Sequence, residues 1–324
     1  MTPFMRMRRK SDLMRIIFMG TPDFAVGALE ALIQKGHEIA LAVTQPDKPK
    51  GRGKAMQRTP VKEAALAHGI EVYQPRRVRE AECVEYLRGQ DADIIVVAAF
   101  GQILPKEILE MPRYGCVNVH ASLLPKYRGA APIQWAVING EQVTGVTIMQ
   151  MDEGLDTGDM LLKEEVALHK DETGGSLFGR LAQTGAALCV EALELIARGA
   201  IQPVPQNQEE ATYTKMIKKQ MGEVDWGKPA RELERLVRGL NPWPSAYTYL
   251  DGRTLKIWQA SVRQENGPAQ EPGTIVSVAK DSIGVQCGQG VLVLKEIQME
   301  GKKRMGADAF LRGFPLEAGK RLGK

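Results

Sequence analysis

Hydrophobic positions change their rhythm once along this chain, near residue 199. Before it, continuous apolar runs alternate with amphipathic stretches. Residues 15–19 (RIIFM) are mostly apolar and β-branched and run into Gly20-Thr21-Pro22, so they read as a buried strand. Residues 23–36 read as a helix that closes on Gly36. Residues 39–44 form the next apolar run, and residues 45–59 have no period and read as a loop. Thr59-Pro60 supplies an N-cap and a proline at the first helical position, opening a helix to about residue 68. Residues 70–73 read as a short strand, 79–88 as a helix, and 93–99 as a strand buried on both faces. Residues 115–120 and 146–151 are further strands, and 173–198 is a long amphipathic helix. This alternation predicts an α/β fold: a Rossmann-like open, mainly parallel sheet with helices on both faces, over residues 14–198.

After residue 199 the pattern breaks. Residues 199–217 carry two prolines among several Gln and Glu with no strong period, and read as a linker. Residues 226–239 read as a helix. Short β-branched and aromatic runs follow at 246–250, 254–260, 273–278, 283–287 and 291–299, separated by glycine-containing turns. That spacing predicts a small C-terminal β-barrel (OB-like) domain over residues 218–324. Two domains suit a chain of 324 residues. Residues 1–13 are Arg-rich without an apolar core, so they are read as an upstream extension, poorly ordered, and not as a secretory signal.

Composition narrows the class. No run of about 18 apolar residues is present, which excludes a spanning helix. Cys83, Cys116, Cys189 and Cys287 form no C-x-x-C pair, which excludes a disulfide framework or a zinc ribbon and fits a reducing cytoplasm. The net charge of +4 is unevenly placed: residues 218–324 hold 18 Lys/Arg against 12 Asp/Glu, and residues 47–62 hold six basic residues against one acid. Clustered basic charge suits a polyanionic partner. Charge alone favours the plainer reading, a solvated face.

The candidate chemistry lies in the loops after the strands. Gly20-Thr21-Pro22-Asp23-Phe24 lacks the second and third glycines of a dinucleotide loop and puts a carboxylate where a pyrophosphate would sit. With no P-loop either, the sheet is read as holding neither NAD nor ATP. Asn118 and His120, two apart on a strand, point to one face. An acid- and glycine-rich loop at 152–159 follows another strand. An imidazole, a primary amide and a carboxylate in one crevice suit acyl-type transfer to an amine, with the imidazole taking a proton and the amide meeting the oxyanion. The alternative is a capped strand end with a solvated acidic loop. Asp152 and Glu153 are completed by no His/Asp cluster, so no metal is expected.

The run from Asn118 to Ile133 (NVHASLLPKYRGAAPI) resembles the signature of folate-dependent formyltransferases. Phe100-Gly101-Gln102-Ile103-Leu104-Pro105 and the stretch from Gly145 to Asp159 are similar to that family in order and spacing. The resemblance implies a catalytic trio of Asn118, His120 and Asp156. It associates Ser122, Leu123, Leu124 and Pro125 with 10-formyltetrahydrofolate as co-substrate. It places Phe100, Gln102, Ile103 and Leu104 at the pterin pocket, with Phe100 where members often carry Tyr. The loop with Lys48, Lys50, Arg52, Lys54 and Arg58, together with Asn241-Pro242-Trp243-Pro244-Ser245-Ala246, resembles the members that formylate methionyl initiator tRNA. In those members the loop meets the acceptor end. A monomer is expected, since one acceptor arm fits one crevice and no apolar heptad is visible; the cysteine pattern suits the cytoplasm, and no membrane partner is expected. Lys218, Lys219, Arg235, Arg238, Lys302, Lys303 and Arg304 are further candidates for the RNA backbone. Trp243 is expected to be a packing anchor, Trp135, Met149 and Met151 to be core, and His37, His68 and His169 to be surface residues. A sugar-nucleotide formyltransferase and a formyltetrahydrofolate hydrolase would share the trio. A non-catalytic RNA-binding protein would keep only the basic regions.

Overall fold

The computed structural model describes residues 13–50, 55–264 and 270–323. The expected disorder of residues 1–13 falls almost wholly outside them. The chain divides into two compact units. One comprises the residues up to Gly129 with Thr144–Val166 and Phe178–Tyr213, and the other Ala130–Val143, Ala167–Leu177 and the residues from Thr214 onward.

The first unit opens with β1 (Arg15–Gly20), α1 (Asp23–Lys35) and β2 (Glu38–Val43). A small hairpin of β3 (Lys48–Lys50) and β4 (Ala55–Gln57) follows, then α2 (Pro60–Ala67), β5 (Val72–Tyr73), α3 (Ala81–Arg88), β6 (Ile94–Ala98), α4 (Lys106–Leu109), β7 (Cys116–His120) and β8 (Arg128–Gly129). The next helix, α5 (Pro132–Asn139), belongs to the second unit. The first resumes with β9 (Val143–Gln150), β10 (Met160–Ala167) and most of α6 (Gly174–Ala197).

A seven-stranded sheet runs β10-β9-β7-β6-β1-β2-β5. Its central pairs are parallel, as the continuous apolar runs require, and β1 from Ile16 onward and the whole of β6 are buried. Strand order reverses between β1 and β6, which puts a ligand crevice at their carboxyl ends. Local signals act where the sequence places them. Gly36 closes α1 at φ 94°, and the Thr59 side chain accepts the Lys62 N–H at 3.2 Å to cap α2. Gly20 is required by packing: a Cβ there would lie 2.6 Å from the Ala25 Cβ of α1.

β7 pairs antiparallel with β9, as a mainly parallel sheet allows. Three features depart from the sequence reading. β10 adds an edge strand over residues with no long apolar run, because only part of it is covered. Residues 45–59 contain the β3–β4 hairpin, whose three-residue strands are too short to show a period. His37 is buried rather than superficial, because the turn after α1 returns beside the start of β1, where its Nδ1 accepts the Met14 N–H at 3.1 Å.

In the second unit, β11 (Tyr213–Thr214) at its boundary is followed by α7 (Ala230–Gly239), β12 (Ala246–Leu250), β13 (Arg253–Arg263), β14 (Ile275–Ala279), β15 (Ser282–Gln286), β16 (Val291–Met299), β17 (Met305–Gly306) and α8 (Ala307–Gly313). The strands form an antiparallel sheet, β12-β13-β16-β15-β14 with β17 on β16. Its alternating inner face, with Leu255, Ile257, Ile283, Val285, Leu292 and Leu294, packs with Leu233 and Val237 of α7. α7 starts later than expected, after Pro229. The preceding Trp226 is buried and donates to the Thr248 hydroxyl at 3.0 Å. Trp243 is 54% exposed and anchors no core, because the turn that carries it leaves its ring outside the apolar face.

Candidate active site

β7 carries Asn118 and His120 on one face, with His120 opposite Thr147 of β9. His120 is buried and Asn118 half-buried. The His120 Nε2 lies 3.0 Å from the Tyr127 carbonyl oxygen. A carbonyl only accepts, so Nε2 carries a proton and donates it there. Nδ1 then faces the Asp156 Oδ2 at 3.7 Å. That gap exceeds a direct hydrogen bond but lies within Coulombic reach of charge developing on the ring. The Asp156 Oδ2 also accepts the Gly129 N–H at 2.8 Å. Residues 127–129 therefore grip both side chains, one by a carbonyl and the other by an amide.

Asp156 takes a left-handed φ of 53°. Gln206 spans that turn, its Nε2 donating to the carbonyls of Asp156 at 2.9 Å and Gly158 at 2.7 Å. The Gln206 Oε1 accepts from Arg128 Nε at 3.0 Å and Nη2 at 2.7 Å. Sequence reading gave Gln206 no role. It lies in the segment read as a linker, and its partners are remote in the chain, so local pattern carries no signal for it. A lone arginine inside the otherwise small and apolar run after Tyr127 is the one local hint of a buried network.

The expected folate residues flank this face. Ser122 is fully buried and donates to the Lys126 carbonyl at 2.7 Å. Thr147 ties the segment down: its hydroxyl donates to the Ser122 carbonyl and accepts the Leu124 N–H. Leu124 packs with Met149 and Met160, Pro125 is buried, and Leu123 is half-buried. After β6, the next strand in the sheet, Phe100 and Leu104 are buried. The Gln102 side chain binds the Val78 N–H at 2.8 Å and the Pro75 carbonyl at 3.4 Å. Ile103 is the outlier, 81% exposed.

Of the basic loop residues, Lys48 and Arg58 are exposed, and Lys50 ends β3. Arg52 and Lys54 lie outside the described residues. Below the hairpin, Asp47 accepts from Lys62 Nζ and Gln74 Nε2, each at 2.7 Å, and Gln74 also holds the Gln45 carbonyl. The Lys62 and then the Gln74 hydrogen bond hold the Asp47 carboxyl below its ordinary value. In the second unit, Lys218, Lys219, Lys302 and Lys303 are exposed, whereas Arg238 is engaged by Glu234 and the Glu172 carbonyl. Arg304 pairs with Glu296 and covers the Trp258 ring.

All four cysteines are buried, and burial pushes the Cys116 and Cys189 thiols up to about 12. Among the described residues no group of three or more His, Cys, Asp and Glu side chains is placed to hold a metal ion, and no helix is long and apolar enough to cross a membrane.

An imidazole, a carboxylate and an amide at the carboxyl end of a parallel sheet, with no thiolate among them, suit group transfer to an external nucleophile. The chain matches the formyl transferase family over residues 14–193 and the formyl transferase C-terminal domain over residues 216–315, and it belongs to the formyl transferase family. Its relatives narrow the branch. The methionyl-tRNA formyltransferase of Agathobacter rectalis is 64% identical over 306 residues, 94% of this chain and 98% of that one. That of Lachnospira eligens is 59% identical over 315 residues, 96% of this chain and all of that one. Solved structures share the fold at lower identity. HypX from Aquifex aeolicus in complex with tetrahydrofolic acid has a TM-score of 0.62 at 17% identity, over 96% of this chain and 51% of that one. This chain thus spans about half the length of HypX. The N-formyltransferase from Helicobacter canadensis in complex with folinic acid and dTDP-3-aminofucose has a TM-score of 0.64 at 17% identity, over 90% of this chain and 100% of that one.

Proposed function

We propose that this enzyme transfers the formyl group of 10-formyltetrahydrofolate to the α-amino group of methionyl initiator tRNA. The observation that carries the chemistry is the meeting of His120 and Asp156, 3.7 Å apart and both held by residues 127–129, on the face shared with Asn118. The relatives named methionyl-tRNA formyltransferase support the acceptor, since they match across both family regions.

The neutral amine attacks the formyl carbon, a C–N bond forms, and the bond from that carbon to the folate nitrogen breaks. The proton shed by the amine is taken up on the Nδ1 side of His120, facing the Asp156 carboxylate, and a proton is returned to the departing folate nitrogen. The Tyr127 carbonyl keeps the ring from turning. Negative charge builds on the formyl oxygen, and Asn118 supplies an amide N–H to it.

Folate lies along Ser122, Leu123, Leu124 and Pro125 and against Phe100, Gln102, Ile103 and Leu104 in this reading. The exposed Ile103 beside Gly101, whose missing side chain faces open space, suits a flat heteroaromatic ring. Residues 14–198 form the catalytic domain and 199–217 connect it to a tRNA-binding domain of residues 218–324. Lys48, Lys50, Arg52, Lys54 and Arg58 meet the acceptor end. The enzyme acts as a monomer in the cytoplasm.

The test offers 10-formyltetrahydrofolate with charged initiator tRNA, charged elongator methionyl-tRNA, free methionine or an amino-sugar nucleotide. Formylation of the initiator alone is expected. Transfer to the sugar nucleotide, or formate release without any amine, would contradict the reading.

A further inference from the structure

Gln206 lies outside every motif singled out above, yet its side chain is almost fully buried and wholly used. A primary amide has two N–H donors and an oxygen with two lone pairs. Here both donors go to one loop, to the carbonyls of Asp156 and Gly158, and both acceptor positions go to Arg128. Arg128 is itself fully buried, and its Nη1 donates to Gln208 at 2.8 Å and to the Tyr213 hydroxyl at 2.9 Å. A buried guanidinium is tolerated only with such bonds, so its position is strongly determined. Its chain neighbours are the groups that hold the reactive pair: the Tyr127 carbonyl on His120 and the Gly129 amide on Asp156.

We propose that Gln206 and Arg128 are positioning residues for the transfer reaction, a clamp that fixes Asp156 against His120. The inference rests on the reading of His120 and Asp156 as the reacting pair. Asp156 sits at a positive φ, a region that aspartate enters more readily than most residues, so how firmly the turn is held depends on the bonds made to it. Gln206 supplies them by bonding the carbonyls on both sides of residue 157. Gly129 then fixes the carboxylate from the other end. Without Gln206 the loop relaxes and the 3.7 Å approach to Nδ1 opens, although neither substrate has lost a contact.

Gln206→Glu separates this role from packing. The carboxylate still accepts from Arg128 but has no N–H for the Asp156 and Gly158 carbonyls. The expected result is a fall in kcat of about 10-fold or more with KM for both substrates within about two-fold. In an Asp156→Ala background the same change adds less than about two-fold, because both substitutions act on one interaction. Wild-type kcat, a loss confined to KM, or an equal loss in both backgrounds would overturn the proposal. If Gln206→Glu does not fold, Gln206→Asn, which keeps an amide oxygen for Arg128 but is one methylene short of the Asp156 and Gly158 carbonyls, is measured in the same cycle and decides in the same way. His120→Ala is run beside them. If it is inactive while Gln206→Glu is normal, the functional reading stands and the clamp falls; if it is active, both fall.

Discussion

His120 donates a hydrogen bond from its Nε2–H to a main-chain carbonyl, which leaves Nδ1, facing Asp156, as the nitrogen for the proposed proton exchange. This division of the two nitrogens is the central feature of the site at the scale of the residue. The task proposed for Asn118 is different, since an amide neither takes nor gives a proton. Asn118→Ala is therefore expected to lower kcat by about 10²–10³-fold with little change in either KM, as for other oxyanion donors, and steady-state kinetics checks it. The shared face of Asn118 and His120 is legible in their i, i+2 spacing on a strand, whereas the roles of both, like that of Asp156 among the four acids of its loop, are implied only by the family resemblance. Gln206 is not legible at all: its meaning comes from carbonyls brought to it by the fold. The exposed Trp243 and the buried His37 run against their residue types for a related reason, because exposure is set by what packs around a residue and not by its own polarity.

At the scale of the element, caps and core runs carry most of the readable information. Thr59 caps α2, and its hydroxyl also lies 2.8 Å from the Thr44 hydroxyl in a buried setting. Thr59→Ala is expected to cost about 1–2 kcal/mol in urea unfolding, with Thr59→Ser recovering most of it. The basic hairpin stands on the Asp47–Lys62–Gln74 network. The folded Asp47 carboxyl titrates below its unfolded value near 4, so its contribution is complete above that pH and is lost as pH falls through the lowered folded value. The stability difference between wild type and Asp47→Asn is then constant from about pH 5 upward and shrinks below about pH 4; a difference that instead grows in acid would refute this. β10 and the β3–β4 hairpin escaped sequence reading because an edge strand and three-residue strands bury too little to impose a period on the residues.

At the scale of the whole molecule, basic charge gathers in two stretches of the chain. Residues 47–62, with six basic residues against one acid, belong to the unit that holds the His120–Asp156 site, and residues 218–324 carry a net +6, from 18 basic and 12 acidic residues. Phosphate contacts release counterions, so the KM for methionyl-tRNA is expected to rise steeply with salt while kcat stays nearly constant. Lys48→Ala or Arg58→Ala should each reduce the logarithmic salt slope by about one if that side chain meets a phosphate. The measurement that tests the account most directly is the single-turnover rate of formyl transfer to methionyl initiator tRNA, with both substrates saturating, for wild type and His120→Ala. The account predicts a loss of about 10²–10⁴-fold in the variant with unchanged tRNA affinity. A rate within about tenfold of wild type would show that the proton passes elsewhere and would contradict the assignment of His120.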